Sequence, residues 1–279
     1  MTVPKPTLTR IVALALEEDV GRGDVTSEAC VEAGASGSAQ VAARERLVFC
    51  GGDIAVEVFA QLDPRVRVER QVADGAALER GAPALTVSGA ARSLLGGERV
   101  VLNFAQRLSG IATLTRAFVD ALPAGSKTRI TDTRKTTPGL RALERYAVRC
   151  GGGINHRDDL SAAVLIKDNH VAASGGVTQA IERTRRHAPH TSRLLCEVDS
   201  MAQLDEALRA RADIVLLDNF EDAQLTAAVE LVAGRALIEV SGRISLDRVP
   251  VIARAGVDVI SVGALTHSAR AVDLGMDWL

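Results

Sequence analysis

The fold of this chain is decided by a repeating pattern that is clearest in LLCEVDSMAQLDEALRARADIVLLD, residues 194–218. The stretch begins with an uninterrupted apolar run, continues with apolar residues at helical spacing, and ends with a second apolar run. Comparable runs end at Lys167, Glu239 and Gly263, and the last four runs end 21, 21 and 24 residues apart. Apolar strands that alternate with helices at this spacing predict a parallel sheet buried on both faces.

Five such units in a row favour a closed or nearly closed barrel over an open sheet. The region that holds them is much shorter than the roughly 250 residues of a complete eight-unit barrel. We therefore predict an α/β fold with an incomplete parallel α/β barrel, which forms a catalytic domain over residues 105–267.

The first hundred residues follow a different pattern, in which short apolar stretches alternate with glycine-rich turns. This pattern predicts short, mostly antiparallel strands with intervening helices. We predict an N-terminal α/β sandwich domain over residues 1–104, with the C-terminal tail 268–279 packing back on it. The predicted helices cover residues 8–16, with Thr7 or Thr9 as the cap, 53–61 and 97–121.

The composition excludes several classes of protein. The 279 residues carry 33 basic and 35 acidic side chains, and only 3% are aromatic, which argues against nucleic acid as a partner. No apolar run approaches the roughly 20 residues that span a bilayer, so we expect no membrane partner and a cytoplasmic location. The cysteines have no CxxC spacing and are expected to be buried, reduced thiols: Cys30, Cys50, Cys150 and Cys196.

The predicted strands end in polar residues, and the active site of a parallel barrel lies at the carboxyl ends of its strands. A single polar residue there is a weak indication, because polarity ordinarily begins where a strand ends. Both signs of charge converging from six ends indicate a site more strongly. The predicted ends are 133–135, 167–170, 197–199, 218–219, 239–242 and 262–263.

Residues 127–157 form the most basic segment, with eight Lys or Arg against two acidic residues and a local charge of +6. Arg134-Lys135 and His156-Arg157 adjoin a strand end or a glycine run, and cationic groups placed in this way bind carboxylate or phosphate. We therefore predict a pocket for a small polyanion. Helical spacing instead assigns three further arginines to a surface or subunit contact: Arg141, Arg145 and Arg149.

Glu197 and Asp218 end adjacent predicted strands and are either an acid/base pair or ligands of a hard cation. The nearby cationic and phosphate-binding features together favour Mg²⁺, which takes one or two carboxylates and completes its shell with waters and phosphate oxygens. Ser241-Gly242 and Gly263 lie where many barrels hold a phosphate on backbone amides, and His267 just beyond is a further donor.

Several motifs resemble the quinolinate phosphoribosyltransferase family. They are long and specific, and the similarity runs nearly from end to end. The motifs are EDVGRGDVT at 18–26, TDTRKTTPGLR at 131–141, GGGINHR at 151–157, LIKDNH at 165–170 and VGALTHS at 262–268.

Members of this family join quinolinate to phosphoribosyl pyrophosphate, releasing CO₂ and pyrophosphate and giving nicotinate mononucleotide in de novo NAD synthesis. The resemblance implies Mg²⁺ as cofactor, bound by Glu197 and Asp218, and a homodimer with shared active sites or a hexamer. It implies catalytic roles for Lys135, Lys167, Glu197 and Asp218. By matching position, the substrate-binding residues are Arg99 from the neighbouring subunit, Thr133, Arg134, Lys135, His156, Arg157, Lys167, Glu197, Asp218, Ser241, Gly242, Gly263 and His267.

The chain departs from the family pattern at two places. Asp158-Asp159 stand where a hydrophobic residue and a glycine are more common, and Arg243 stands where glycine is common. The two acids either weaken the local anion field or point outward, and Arg243 either supports the phosphate or lies in solvent.

Other functions remain open from the residues themselves. A paralogue of the same fold with an altered substrate is one, although the joint presence of the predicted quinolinate ligands argues against it. A Schiff-base barrel aldolase using Lys167 is another, which borohydride trapping with a carbonyl substrate would reveal. A non-enzymatic anion-binding module would bind ligand without turnover.

Overall fold

The computed structural model describes residues 3–279, and the backbone divides into two compact units. The first comprises the chain up to Arg116 together with Lys135–Gly152 and Ala264–Leu279. The second comprises Ala117–Arg134 and Gly153–Gly263. None of the helices within residues 3–279 combines the length and apolar character that a membrane crossing requires.

Strands and helices alternate along most of the chain. The strands are β1 (Ser36–Ala43), β2 (Leu47–Val48), β3 (Arg67–Arg70), β4 (Ala77–Leu78), β5 (Pro83–Ala90), β6 (Arg129–Thr131), β7 (Val164–Ile166), β8 (Leu194–Val198), β9 (Ile214–Asp218), β10 (Leu237–Ser241), β11 (Val259–Ser261) and β12 (Leu274–Trp278). The helices are α1 (Lys5–Val20), α2 (Val25–Cys30), α3 (Gly52–Leu62), α4 (Ala91–Asp120), α5 (Arg141–Cys150), α6 (Asp168–Ser174), α7 (Val177–His187), α8 (Met201–Arg209), α9 (Asp222–Val232), α10 (Val249–Arg254) and α11 (Ala264–His267).

The first unit is built around a four-stranded antiparallel sheet in the order β12-β1-β5-β3, with β2 and β4 forming a separate pair. Small and β-branched side chains of β1 face the core, and Ala39, Val41 and Ala43 are fully buried. The last strand of the chain lies beside β1, from Ala39 opposite Trp278 to Ala43 opposite Leu274. The C-terminal residues are therefore an integral edge of this sheet.

The predicted first helix exists, but its predicted cap is wrong. Helix α1 begins at Lys5 after Pro4, whose carbonyl accepts hydrogen bonds from the backbone N–H groups of Thr7 and Leu8. Pro6 lies in the first turn, where a missing N–H costs nothing because that group has no intrahelical partner. Thr7 and Thr9 therefore lie inside the helix and do not cap it.

The second unit is a six-stranded parallel sheet in the order β6-β11-β10-β9-β8-β7. Its strands are rich in Val, Leu and Ile, and both faces of the inner strands are buried, as in Val215, Leu216 and Leu217 of β9. The parallel sheet and the separate antiparallel sheet confirm the predicted α/β fold class.

Strand register determines which polar side chains share a level at the carboxyl edge of this sheet. Glu197 of β8 and Glu239 of β10 both lie opposite Leu216 of β9. Ser241 lies opposite Asp218 one layer further on. Because side chains of paired residues point to the same face, one layer carries Glu197 and Glu239 and the next carries Asp218 and Ser241.

The four cysteines are all free thiols, in environments that differ. Cys50 and Cys196 are buried, as predicted, and Cys150 is half-buried. Cys30 is exposed, so the expectation of a buried thiol is wrong there, because α2 is a short helix whose only buried residue is Ser27.

Candidate active site

A buried aspartate organises the basic loop that follows the glycine run. Asp132 directly follows β6 and is fully buried. Its Oδ1 accepts the backbone N–H of His156 at 2.7 Å, and its Oδ2 accepts the side-chain amide of Asn155 at 2.6 Å. Ile154 forms a parallel bridge to Thr131 beside it. The segment that carries His156 and Arg157 is therefore attached to the end of β6.

The ring of His156 lies between backbone and a second buried acid. Its Nδ1 accepts the backbone N–H of Arg157 at 2.7 Å, so the proton of a neutral ring resides on Nε2. That Nε2 lies 3.4 Å from Oε1 of Glu239, whose side chain is 6% exposed. The same Oε1 makes no hydrogen bond to any residue within 3–279.

Two arginines of the second unit, Arg134 and Arg157, influence each other electrostatically. Burial, and next the positive charge of Arg134, lower the pKa of Arg157. Arg157 donates to the backbone carbonyl of Ala163 at 2.9 Å, and the Nε of Arg134 is buried without a hydrogen bond in the described part of the chain. Neighbouring cations that repel each other form a site suited to an anion.

Lys167 and Glu197 form an ion pair at the ends of β7 and β8. The Lys167 Nζ lies 3.4 Å from Oε2 of Glu197, with side chains 48% and 14% exposed. The backbone N–H of Lys167 donates to Nδ1 of His170, which fixes the turn into α6. The ammonium group is thus held at the mouth while half of its surface still contacts solvent.

The loops after β9 and β10 are joined into one structure. Asn219 donates from its side chain to Asp218 at 2.8 Å and from its backbone to the Ser241 carbonyl at 3.0 Å. Gly242 has a φ of +93°, and a Cβ there would collide with Oδ1 and the backbone nitrogen of Asn219. Only glycine permits this close approach.

Arg248 contacts both the loop after β9 and the loop after β10. It pairs with Asp222 at 2.6 Å and donates to the carbonyls of Phe220 and Arg243 at 3.3 and 3.2 Å. One side chain therefore connects the residues after Asp218 with those after Ser241.

Glu197 and Asp218 have the donor chemistry that Mg²⁺ requires. Both are half-buried carboxylates on the paired strands β8 and β9, one layer apart. Two carboxylates leave most of an octahedral shell for waters and substrate oxygens, which is the usual arrangement for Mg²⁺ bound with a phosphate ester. These residues fit the ion.

The remaining predicted residues lie in both units. Thr133 and Gly263, in the second unit, are half-buried beyond the ends of β6 and β11, which pair with each other. In the first unit Lys135, Arg99 and His267 are exposed. The carbonyl of Lys135 accepts the hydroxyl of Thr266 at 2.7 Å, and Nδ1 of His267 lies 2.6 Å from Oγ of Ser268.

The arginines with helical spacing do lie on one helix, α5, but they are half-buried there. Arg149 lies over the ring of Tyr146, with 5.6 Å between Cζ and the ring centroid. Contact with an aromatic face accounts for the partial burial of this guanidinium.

The two departures from the family pattern differ in their surroundings. Asp159 is exposed and caps its own turn, accepting the backbone N–H groups of Ser161 and Ala162 at 2.8 and 2.9 Å. Hydrogen bonds from Ser161 lower the pKa of Asp159, with a smaller effect from Arg134. Arg243 is exposed with a φ of +49°, so it occupies backbone space that favours glycine.

Sequence reasoning missed three residues that organise this site: Asp132, Glu239 and Arg248. Asp132 lies inside the quoted 131–141 motif, and Glu239 ends a predicted strand. Both positions therefore stood out in the sequence, but nothing in the sequence indicated their roles. Arg248 had none, because its partners lie 5 to 28 residues away in two loops.

Comparisons with known proteins cover the whole chain. A family model described as "Quinolinate phosphoribosyl transferase, C-terminal domain" matches residues 111–277, and the corresponding N-terminal model matches 24–109. A nicotinate-nucleotide pyrophosphorylase [carboxylating] of Mycobacterium leprae is 48% identical over 271 residues, 94% of each chain. The solved nicotinate-nucleotide pyrophosphorylase of Francisella tularensis superposes with a TM-score of 0.95 at 39% identity, covering 100% of this chain and 98% of that one.

Proposed function

The chain belongs to the quinolinate phosphoribosyltransferase family, and from this premise we propose the reaction that it catalyses. It transfers the phosphoribosyl group of phosphoribosyl pyrophosphate to the ring nitrogen of quinolinate. The products are nicotinate mononucleotide, CO₂ and pyrophosphate, and the step belongs to NAD biosynthesis.

The choice of quinolinate rests on one observation, the electrostatic interaction of Arg134 with Arg157. The charge of Arg134 contributes to the lowered pKa of Arg157, so the two guanidinium groups are close enough to repel each other. A dicarboxylate relieves that repulsion by pairing with both groups, and a monocarboxylate relieves it less. The site therefore supports a dianionic pyridine substrate.

The side chains at the strand ends divide the chemical work. Arg134, His156, Arg157 and Lys167 bind the two carboxylates and hold the weakly nucleophilic ring nitrogen against the anomeric carbon. Asp218 and Glu197 bind the ribose hydroxyls and Mg²⁺, and the loop at Ser241-Gly242 with Gly263 binds the 5′-phosphate. Lys135 stabilises the leaving pyrophosphate.

Mg²⁺, when bound, supplies neutralising charge to the pyrophosphate. After N-ribosylation the cationic ring stabilises the carbanion left by loss of the adjacent carboxylate. No covalent bond to the protein is needed, so Lys167 binds substrate here and forms no Schiff base.

The assembly and the location complete the proposal. We propose a homodimer with shared active sites, to which Arg99 contributes from the neighbouring chain, and a cytoplasmic location. The exposure of Arg99 on α4 supports a role toward another chain.

The experiment that tests the function measures product with quinolinate, phosphoribosyl pyrophosphate and Mg²⁺, and then repeats it with Arg134→Ala. We expect product from the unaltered protein, none after chelation of Mg²⁺, and restoration when Mg²⁺ is returned. Arg134→Ala should raise the KM for quinolinate roughly tenfold or more, the cost of losing a charge-assisted pair.

The matched control is Arg209→Ala, which removes an exposed arginine paired with Asp205 on α8 of the same unit. We expect its KM values to remain those of the unaltered protein. An Arg134→Ala variant with unchanged KM and kcat removes Arg134 from the site, and absence of product refutes the function.

A further inference from the structure

Two thiols of the first unit lie close to each other. Cys50 follows β2 and is fully buried, and Cys150 is the last residue of α5 and is half-buried. Their sulfur atoms and a carboxylate oxygen of Asp74 all lie within 4.8 Å of one another. The two residues are 100 positions apart in the sequence.

Asp74 connects the two segments that carry the thiols. Its Oδ1 accepts the backbone N–H groups of Gly51 and Gly52, next to Cys50, at 3.1 and 2.9 Å. Its Oδ2 accepts the hydroxyl of Tyr146, one helical turn before Cys150, at 2.9 Å. A single carboxylate therefore binds the chain segments beside both cysteines and holds them next to each other.

The backbone around both thiols is held as well. Ser109 accepts the N–H of Cys50 at 2.9 Å and donates to its carbonyl at 3.2 Å. Gly75 donates to the carbonyl of Phe49 at 2.7 Å, and a Cβ at Gly75 would lie 3.1 Å from the carbonyl oxygen of Cys150. The proximity of the sulfur atoms thus follows from fixed main-chain contacts.

The two thiols differ in reactivity. Burial raises the pKa of Cys50, whereas interaction with the neighbouring Cys50 thiol lowers the pKa of Cys150. The more accessible thiol is therefore also the more readily ionised one, which is the thiol that an oxidant attacks first.

We propose that Cys50 and Cys150 form a reversible intramolecular disulfide on reaction with a hydroperoxide. The Cys150 thiolate attacks one oxygen of hydrogen peroxide, breaks the O–O bond and becomes a sulfenic acid, while hydroxide leaves and takes up the proton that Cys150 released on ionisation. The Cys50 sulfur then attacks the Cys150 sulfur and the sulfenic oxygen departs as water, taking up the Cys50 proton. In sum, two thiols and one peroxide give one disulfide and two waters, and a dithiol reductant reverses the change.

The test is a peptide map of the full-length protein carrying Cys30→Ser, which removes the exposed thiol. The protein is treated with one equivalent of hydrogen peroxide, blocked with iodoacetamide and digested with trypsin without reduction. Cleavage after the flanking arginines releases Cys50 in peptide 47–65 and Cys150 in peptide 150–157. We expect these peptides to be linked and then separated by dithiothreitol, and the denatured thiol count to fall from three to one.

Variants distinguish this pair from other oxidation. Cys50→Ser and Cys150→Ser should each abolish the linked peptide, whereas Cys196→Ser should retain it. The peptide map of the Cys30→Ser protein tests for the Cys50–Cys150 disulfide even if a variant at Cys50 does not fold. Absence of the linked peptide, or a Cys150 sulfinic acid beside a reduced Cys50, would overturn the proposal. So would one equivalent of bound zinc that Cys50→Ser removes, because the cluster would then be a metal site.

Discussion

Two buried acids position the cationic residues of the site. Asp132 accepts hydrogen bonds from the backbone of His156 and the side chain of Asn155, and Glu239 faces the ring of His156 across 3.4 Å. Burying a carboxylate near the proposed pocket for a dianion is unfavourable unless the carboxylate makes a specific polar contact. Glu239 places an oxygen 3.4 Å from Nε2 of His156, and this polar contact favours one orientation of the ring, which makes Glu239 a positioning residue.

Glu239→Leu should raise the KM for quinolinate about tenfold, since His156 loses the polar oxygen that faces its Nε2, with a smaller change in kcat. Glu239→Gln keeps an oxygen in the same place and removes a negative charge near the substrate, so its KM should stay within about threefold of the unaltered value. Initial rates at saturating phosphoribosyl pyrophosphate measure both. Equal increases of the quinolinate KM in the two variants would refute a positioning role. Melting curves of both variants show whether a loss of stability contributes.

The role of a single residue was predictable where the residue belongs to a recognisable motif. It was not predictable where the role depends on a contact with a residue distant in the sequence. Arg134, His156, Arg157 and Lys167 belong to long family motifs, and the structure places all four in the second unit. The role of Glu239 depends on a contact with a residue 83 positions earlier, which periodicity cannot reveal. The proximity of Cys50 and Cys150 could not be predicted for the same reason.

At the scale of elements, the site depends on the loops that follow β9 and β10. Strand register aligns Asp218 with Ser241, and Arg248 then ties the two loops together through Asp222 and three backbone carbonyls. The strands were predictable because burial on both faces leaves uninterrupted apolar runs. The start of α1 was not, because the carbonyl of Pro4 replaces a side-chain cap.

Arg248→Ala should raise the KM for phosphoribosyl pyrophosphate and leave the KM for quinolinate nearly unchanged. The loss of a partly exposed ion pair and its hydrogen bonds should also lower the free energy of unfolding by about 1–2 kcal/mol. Steady-state kinetics and urea unfolding measure the two effects. Arg235→Ala is the control, since Arg235 donates to the carbonyls of Val232 and Leu231 at the C-terminal end of α9, whereas Arg248 pairs with Asp222 at its N-terminal end. A rise in the quinolinate KM alone would contradict the assignment.

At the scale of the whole molecule, the end of the chain helps to hold the first unit together. Besides the pairing of β12 with β1, Arg270 donates to both carboxylate oxygens of Glu45 at 2.8 and 2.5 Å. The barrel was predictable in kind from its strand–helix spacing. The contacts that hold residues 270–273 were not, because they join positions more than 220 residues apart.

Glu45 should make stability depend on pH in acid. Hydrogen bonds from Arg270, and next from the backbone of Asp273, lower the pKa of Glu45 from 4.5 to about 2. A depressed folded-state pKa stabilises the protein above the unfolded value and loses that effect as pH falls through the folded one. The difference in unfolding free energy between the unaltered protein and Glu45→Gln should be constant from pH 7 to about 5 and shrink between about 4.5 and 2. A difference that stays constant down to pH 2 would contradict this.

Shared active sites predict complementation between inactive chains. Arg99→Ala and Lys167→Ala, each inactive alone, should regain about a quarter of full activity when refolded together in equal amounts, because half of the dimers are mixed and each mixed dimer has one intact site. Assays of the separate and mixed proteins measure this. Mixing without recovery would place Arg99 and Lys167 in the same chain's site.

The most direct test of the central claim compares quinolinate with nicotinate as the acceptor for phosphoribosyl pyrophosphate. We propose that Arg134, His156, Arg157 and Lys167 bind two carboxylates. Quinolinate should therefore give nicotinate mononucleotide with one CO₂ per pyrophosphate, and nicotinate should give no product. Product from nicotinate alone, or pyrophosphate release without CO₂ from quinolinate, would contradict it.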